Sequence, residues 1–311
     1  MRSNILPNEF RGMMLAALSG ILFGSLGLLG TKLIQQHISV VNMLFWRFFI
    51  ASIWIYMGLI FSRKRLILPP NHKLFLGKIF IFFTLCYSSG SAFYFIASEY
   101  IGTGLAMVIF FSFPIFVTLF AWLFDHLPLT KTIFLALLTV IFGLYLLKGN
   151  SDVSRHFMGV LLSLVASFCY AIYVYSNQHL TKIIDSRTLT LLTCVGATIL
   201  FFIFSCYTHT FFIPKNWLTW LEIIAISVVA TALPIQLLLD GLQYINPIKA
   251  SILAVLEPVI TVIFGVLFLN EMINFQQVIG IIIVLIGAIF IQFERLPMSQ
   301  RQLLFAEGES S

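Results

Sequence analysis

The sequence predicts an all-α integral membrane protein with ten transmembrane helices arranged as two inverted five-helix repeats. Three observations carry that prediction: an extreme apolar composition, ten apolar runs of spanning length, and a self-match between the two halves. Of 311 residues, 60% are apolar and 10% charged, with a mean hydropathy of +1.01. A water-facing globular surface needs about a quarter of its residues charged, so a soluble enzyme is excluded. The formal charge of +6 does not indicate nucleic acid, because the basic residues gather between the apolar runs, as membrane orientation requires.

A helix needs about 20 apolar residues to cross a hydrocarbon core. Such runs fall at 12–33, 42–61, 74–97, 102–124, 131–147, 157–177, 188–206, 218–240, 247–269 and 276–292. The first is expected to act as an uncleaved anchor rather than a signal peptide. Arg11, the run Arg63-Lys64-Arg65, Lys73, Lys131, Lys182, Arg187, Lys249 and Arg295 collect on one side, against Lys32, Lys148, Arg155 and Lys215 on the other. That asymmetry predicts cytoplasmic termini at 1–11 and 294–311 in the cell inner membrane. Cys86, Cys169, Cys194 and Cys206 show no paired spacing and are expected to be free thiols.

A shift of 144 residues places Tyr100-Ile101 on Tyr244-Ile245, Ala106 on Ala250, Pro114 on Pro258, Phe120 on Phe264, Leu123-Phe124 on Leu267-Phe268 and Gly143 on Gly287. One register that aligns a mid-helix proline, a Tyr-Ile pair and a glycine points to duplication. The halves are 12–147 and 157–293. Each holds five segments, an odd number, so the second half enters the membrane in the opposite sense, as in many secondary transporters.

The stretch Leu256-Glu257-Pro258-Val259-Ile260, followed by Gly265, Asn270-Glu271, Gln277, Gly280 and Gly287, resembles the C-terminal repeat of EamA-type transporters of the drug/metabolite transporter superfamily. Phe113-Pro114-Ile115-Phe116, Gly20, Gly24 and Phe45-Trp46-Arg47-Phe48 fit the same pattern, and the resemblance spans about residues 12 to 293. One departure is Leu127, which stands where the family carries a glutamate after the fourth helix. The resemblance implies alternating-access transport of a small metabolite, amino acid or drug-like solute, driven by a proton gradient or by a counter-substrate.

Ionisable groups inside a bilayer cost several kcal/mol on most scales, so each one needs a reason to be there. Glu257 stands midway along its segment beside Pro258, which frees backbone carbonyls. Binding or proton coupling fits it, and so does capping of that freed backbone. Arg47 beside Trp46 suits attraction of an anionic solute group or anchoring at the interface. Ser91 and Tyr94, and Tyr170, Tyr173 and Asn177, recur at helical spacing, which suits a cavity wall or interhelical hydrogen bonds. Gln236 and Asp240 share a face near the inner end of the eighth segment, suiting a gate or solvation by cytoplasmic water. Gly20, Gly24, Gly27 and Gly30 let the first helix approach a neighbour closely.

The histidines are scattered with no metal-ligand spacing, and no phosphate-binding glycine loop occurs, so neither a metal nor another cofactor is expected. Separated single polar residues argue against an integral-membrane enzyme acting on a lipid-borne substrate. A non-transporting membrane scaffold is the remaining alternative, and flux in vesicles separates the three. The expected partners are a small-molecule solute and the lipid bilayer.

Overall fold

Why these residues form helices follows from their setting: in hydrocarbon every backbone N–H and C=O must be satisfied within its own segment. The computed structural model describes residues 7–61, 73–101, 103–147, 157–269 and 274–291. The basic run at 63–65, Lys148, Arg155, the Asn270-Glu271 pair, Arg295 and the tail beyond 291 lie outside them.

The first half contains α1 (Pro7–Phe23) and α2 (Ser25–Gln35), which follow one another across Gly24, then α3 (Val40–Phe61), α4 (Lys73–Ile101), α5 (Thr103–Phe110), α6 (Phe113–Phe124) and α7 (Lys131–Leu147). The second half contains α8 (Phe157–Leu180), α9 (Ser186–Tyr207), α10 (Trp217–Ser227), a π-helical turn (Val228–Ala232), α11 (Leu233–Leu242), α12 (Pro247–Leu253), α13 (Leu256–Leu269) and α14 (Phe275–Phe290). Among the described residues, eight helical stretches are long and apolar enough to cross a bilayer, and α7 and α14 are shorter apolar helices. Ile53, Trp54, Tyr56, Met57 and Ile60 of α3 point away from the protein. Outward rings and aliphatic chains of this kind require lipid as solvent.

The two halves are repeats in structure as well as in sequence. The 144-residue shift carries the interruption between α5 and α6, at Phe111 and Ser112, onto the interruption between α12 and α13, at Ala254 and Val255, to within one residue. Pro114 and Pro258 follow at equivalent places; each lacks the N–H that would bond the carbonyl four residues back. The chain tightens there instead, with Ser112 N–H donating to Ile109 O at 3.1 Å and Glu257 N–H to Ala254 O at 3.0 Å.

Packing obeys the same symmetry. The helix α3 packs on α9, α4 on α8, α1 on α11, and α7 on α14. A Cβ added to Gly143 would meet Val284 Cγ2 at 2.7 Å and Gly280 O at 3.0 Å; one added to Gly287 would meet Val140 Cγ2 at 2.7 Å and Ala136 O at 3.3 Å. Val140 and Ala136 shift by 144 onto Val284 and Gly280, so the two helices touch through equivalent surfaces.

The repeated Tyr-Ile pair has a matching explanation. Tyr244 and Ile245 lie against Gly12 at the start of the first half, and Tyr100 and Ile101 lie against Gly159 at the start of the second. Each half's opening helix therefore packs into the other half, and the repeats are interlaced rather than set side by side.

Candidate functional site

The first helix crosses the broken helix of the opposite half at its glycines. A Cβ on Gly20 would stand 3.2 Å from the carbonyl oxygens of both Leu253 and Ala254, and one on Gly24 would stand 3.0 Å from Glu257 O. Thr261 Oγ1 donates to Gly24 O at 3.1 Å and shares that proton with its own helix at Glu257 O, 3.0 Å. Close glycine contact thus holds the interruption, and with it the backbone at Glu257, against α1 and α2. In the other half Ser167 of α8 meets Ser112 at the equivalent interruption, Oγ to Oγ at 3.0 Å.

Between these crossings lies a cavity of about 40 Å³, lined by Arg47, Tyr87, Ser91, Tyr94, Tyr170 and Glu257, with Phe23, Phe95 and Phe110 completing an apolar wall. That volume holds a few waters, since one needs about 10–15 Å³ of such space. Both halves contribute: Arg47 and the α4 side chains come from the first, Tyr170 and Glu257 from the second.

Arg47 is 1% exposed. Its Nε donates to Thr231 Oγ1 at 2.5 Å, and the guanidinium carbon sits 5.0 Å from the centre of the Phe48 ring. Nη1 is buried and has no hydrogen-bond partner among the described residues. Among the described residues no carboxylate stands within 4.0 Å of this guanidinium. Thr231 belongs to the π-helical turn, where its hydroxyl donates to Ile226 O, five residues back, at 2.7 Å. The widened turn follows from Pro234, whose missing N–H leaves the Ala230 carbonyl without its usual partner.

The sequence-predicted residues divide into those on the cavity and those behind it. Glu257, Arg47, Ser91, Tyr94 and Tyr170 line the cavity together. Trp46 does not; its indole N–H donates to Phe212 O at 3.1 Å, and its ring meets Trp220 edge-on at 4.9 Å. Tyr173 is fully buried behind the wall, 4.7 Å ring to ring from Tyr87. The Asn177 amide donates to Tyr173 O of its own helix at 2.8 Å. Asp240 accepts a short hydrogen bond from Ser186 and does not line the cavity; Gln236 is on the same helix. That same end of the bundle holds the ion pair of Lys249 Nζ with Glu9 Oε1 at 2.6 Å and the Arg11 guanidinium over the Tyr244 ring at 5.3 Å.

Besides the apolar wall of Phe23, Phe95 and Phe110, two polar residues at the site escape the sequence reading. Tyr87 stands one turn before Ser91 and two before Tyr94, so extending that helical stripe would have found it. Thr231 carries no such signal, because a π turn shifts the facing of every residue after it. Three of the six histidines are explained by backbone: His37, His126 and His209 follow α2, α6 and α9 with φ of 62°, 52° and 53°. They close helix ends in the left-handed conformation.

A model described as the EamA-like transporter family matches residues 10–148 and again 157–293. The uncharacterized transporter YcbK of Bacillus subtilis (strain 168) is 28% identical over 194 residues, covering 60% of this chain and 62% of that protein's length. An uncharacterized transporter of Archaeoglobus fulgidus is 26% identical over 221 residues, covering 71% of this chain and 76% of the relative. A solved crystal structure aligns with a TM-score of 0.75 over 90% of this chain and 95% of its own, at 14% identity, a likeness of fold alone.

Proposed function

The chain belongs to the EamA-like transporter family, and from that premise we propose that it moves a small metabolite, amino acid or drug-like solute across the cell inner membrane by alternating access. All ten helical stretches cross the bilayer in this reading, the second half inverted relative to the first, with both termini cytoplasmic. One observation carries it: an arginine and a glutamate, neither with an ion-pair partner among the described residues, line one cavity where two interrupted helices meet residues from both repeats. Charged groups in hydrocarbon are retained when they serve a pathway, and interrupted helices expose backbone only where a cavity needs it.

Glu257 binds the solute or a coupling proton, Arg47 binds an anionic group, and Ser91, Tyr94, Tyr170 and Tyr87 shape the wall. Trp46, Tyr173 and Asn177 hold that wall in place from behind. Asp240 and Gln236 act at the cytoplasmic gate together with Ser186, at the end where Glu9 pairs with Lys249. The Phe45, Trp46, Phe211 and Trp220 ring cluster closes the opposite end. Because the first helix of each half is packed into the other, the rocking bodies each combine helices of both repeats. Energy comes from a proton gradient or from exchange against a counter-substrate.

The test is flux in liposomes containing the purified protein, against a library of amino acids, nucleosides, sugars, polyamines, organic acids and drugs. Saturable movement of an unaltered solute, abolished in Glu257→Gln, is the expected result. Chemical conversion of a solute, or movement of none, overturns the reading.

A further inference from the structure

Between the cavity and the end of the bundle that carries Glu9, Lys249 and Asp240, the interior is polar where packing alone would favour leucine. Ser186, Thr190 and Thr193 of α9 recur at spacings of four and three, along one helix face, and none is more than 2% exposed. The stripe begins where Ser186 Oγ donates to Asp240 Oδ1 and ends at Thr193, whose hydroxyl lies beside that of Tyr173. Tyr173 in turn meets the rings of Tyr87 and Tyr170 on the cavity wall. Several of these groups have no use in the closed protein. Tyr173 Oη, Gln178 Oε1 and Thr188 Oγ1, all on α8 or α9, are buried without a bond of hydrogen-bond geometry among the described residues. Thr190 and Thr193 spend their protons on their own helix, at Ser186 O (2.7 Å) and Leu189 O (2.9 Å). A buried polar group with no partner costs free energy, and hydrocarbon around the bundle supplies no water to relieve it.

The other half of the molecule fills the same positions differently. The 144-residue shift carries Ser186, Thr190 and Thr193 onto Asn42, Trp46 and Phe49 of α3. There Asn42 and Trp46 both donate to Phe212 O at 3.1 Å, and Phe49 packs edge-on against Trp46 at 5.9 Å. One half is closed by a seam of rings and the other by a seam of hydroxyls. We infer that the hydroxyl seam between α8 and α9 is the closed route from the cavity to the face where α1 begins, with the Ser186 and Asp240 bond as its latch. When the seam parts, water reaches Tyr173, Thr190 and Thr193 and satisfies them, while the ring seam stays dry. This rests on the transport reading above and gives it a path.

The experiment reads water access. The full chain in liposomes is treated on one face at a time with membrane-impermeant trimethylammonium-ethyl methanethiosulfonate, and labelling of each cysteine is followed by peptide mass spectrometry. Protease removal of an N-terminal tag fixes which face is which. The unaltered chain carries its own reporter in Cys194, fully buried and next to Thr193. A thiol reacts as its thiolate and is inert in apolar surroundings, so labelling reports hydration. From the face where α1 begins, Cys194 and the new thiol of Thr190→Cys are expected to react at least about tenfold faster than that of Ile199→Cys, whose parent side chain points to lipid. The thiol of Phe49→Cys is expected to stay unlabelled from that face. Adding Ser186→Ala is expected to speed labelling of Thr190→Cys about tenfold, as loss of one charge-assisted bond allows, and to leave Phe49→Cys unchanged.

Labelling of Cys194 and Thr190→Cys only from the opposite face, or no faster than Ile199→Cys, overturns the route. An effect of Ser186→Ala that is as large at Phe49→Cys as at Thr190→Cys means general loosening and overturns the latch. Cys194 is read in the unaltered chain, so a variant that fails to fold leaves the test intact. Solute flux without labelling overturns this inference while the transport reading stands. Labelling as expected without flux of any solute overturns the transport reading and leaves the hydrated seam.

Discussion

Arg47 Nε donates to Thr231 Oγ1 at 2.5 Å, joining α3 of the first half to the π-helical turn of the opposite half. The threonine hydroxyl itself donates a hydrogen bond to Ile226 O, so the bond from arginine is received by an oxygen already oriented by the widened turn. The arginine is thereby fixed at one wall of the cavity by the one local irregularity in its neighbour. Thr231→Val keeps the shape and removes the acceptor. Hydrogen bonds to charged groups contribute about 1.5–3 kcal/mol, so Thr231→Val is expected to lower the unfolding free energy by about 2 kcal/mol and to weaken solute affinity, with Thr231→Ser near wild type. Thermal unfolding in mild detergent and solute binding together check this, and equal behaviour of the two variants would contradict it.

The α7 and α14 contact makes a prediction about symmetry. Gly143→Ala would bring Cβ to 2.7 Å from Val284 Cγ2 and 2.8 Å from Val284 N. Gly287→Ala meets Val140 Cγ2 at 2.7 Å, but its nearest backbone atom, Val140 N, is 3.2 Å away. Overpacking of this kind costs about 1–3 kcal/mol. Gly287→Ala is expected to be partly rescued by Val140→Ala, whereas Gly143→Ala is not rescued by Val284→Ala, because backbone cannot be trimmed. Melting temperatures of the four variants decide it, and full rescue in both pairs would mean that the backbones can separate.

Position behind the wall separates stability from recognition. Trp46→Phe loses the indole bond to Phe212 O and its edge contact with Trp220. The expected loss is about 1–2 kcal/mol of stability, with solute selectivity unchanged. Tyr170→Phe, on the cavity, is expected to do the opposite, altering the KM for a transported solute with little change in melting temperature. A selectivity change in Trp46→Phe measured by competition flux would place that ring in the solute path.

The exposed histidines at helix ends give a test independent of transport. His126 has φ 52° after α6, where Leu127 N–H reaches back to Ala121 O at 3.1 Å. A β-branched residue is strained in the left-handed region, while glycine is at ease there. His126→Val is therefore expected to be about 1–2 kcal/mol less stable than His126→Gly. The two melting curves check this, and coincidence of the curves would show that the helix end relaxes out of the left-handed conformation.

How much of this was legible in the sequence depends on whether the signal was local. Apolar run length, the Tyr-Ile pairs, Pro114 with Pro258 and Gly143 with Gly287 are read residue by residue, and they yielded an all-helical, two-repeat membrane protein. Helical spacing likewise brought Ser91 and Tyr94 to one stripe, and the cost of charge in hydrocarbon singled out Arg47 and Glu257. Spacing did not distinguish Tyr170, on the cavity, from Tyr173 one turn later and fully buried, because a stripe says which residues share a helix face and not what that face meets. Trp46 adjoins Arg47 in sequence, yet successive residues on a helix point about 100° apart, and it turns to Phe212 instead.

Hydropathy and periodicity are properties of a segment in its solvent, so the chain alone determined the segments and their duplication. Tertiary structure decided that each opening helix packs into the opposite half, that Thr231 reaches Arg47, and that an arginine and a glutamate 210 positions apart in sequence share one cavity. Those outcomes depend on close approach at Gly12, Gly20, Gly24 and Gly159 and on a π turn that reorients one helix. Such effects arise only when two surfaces are brought together.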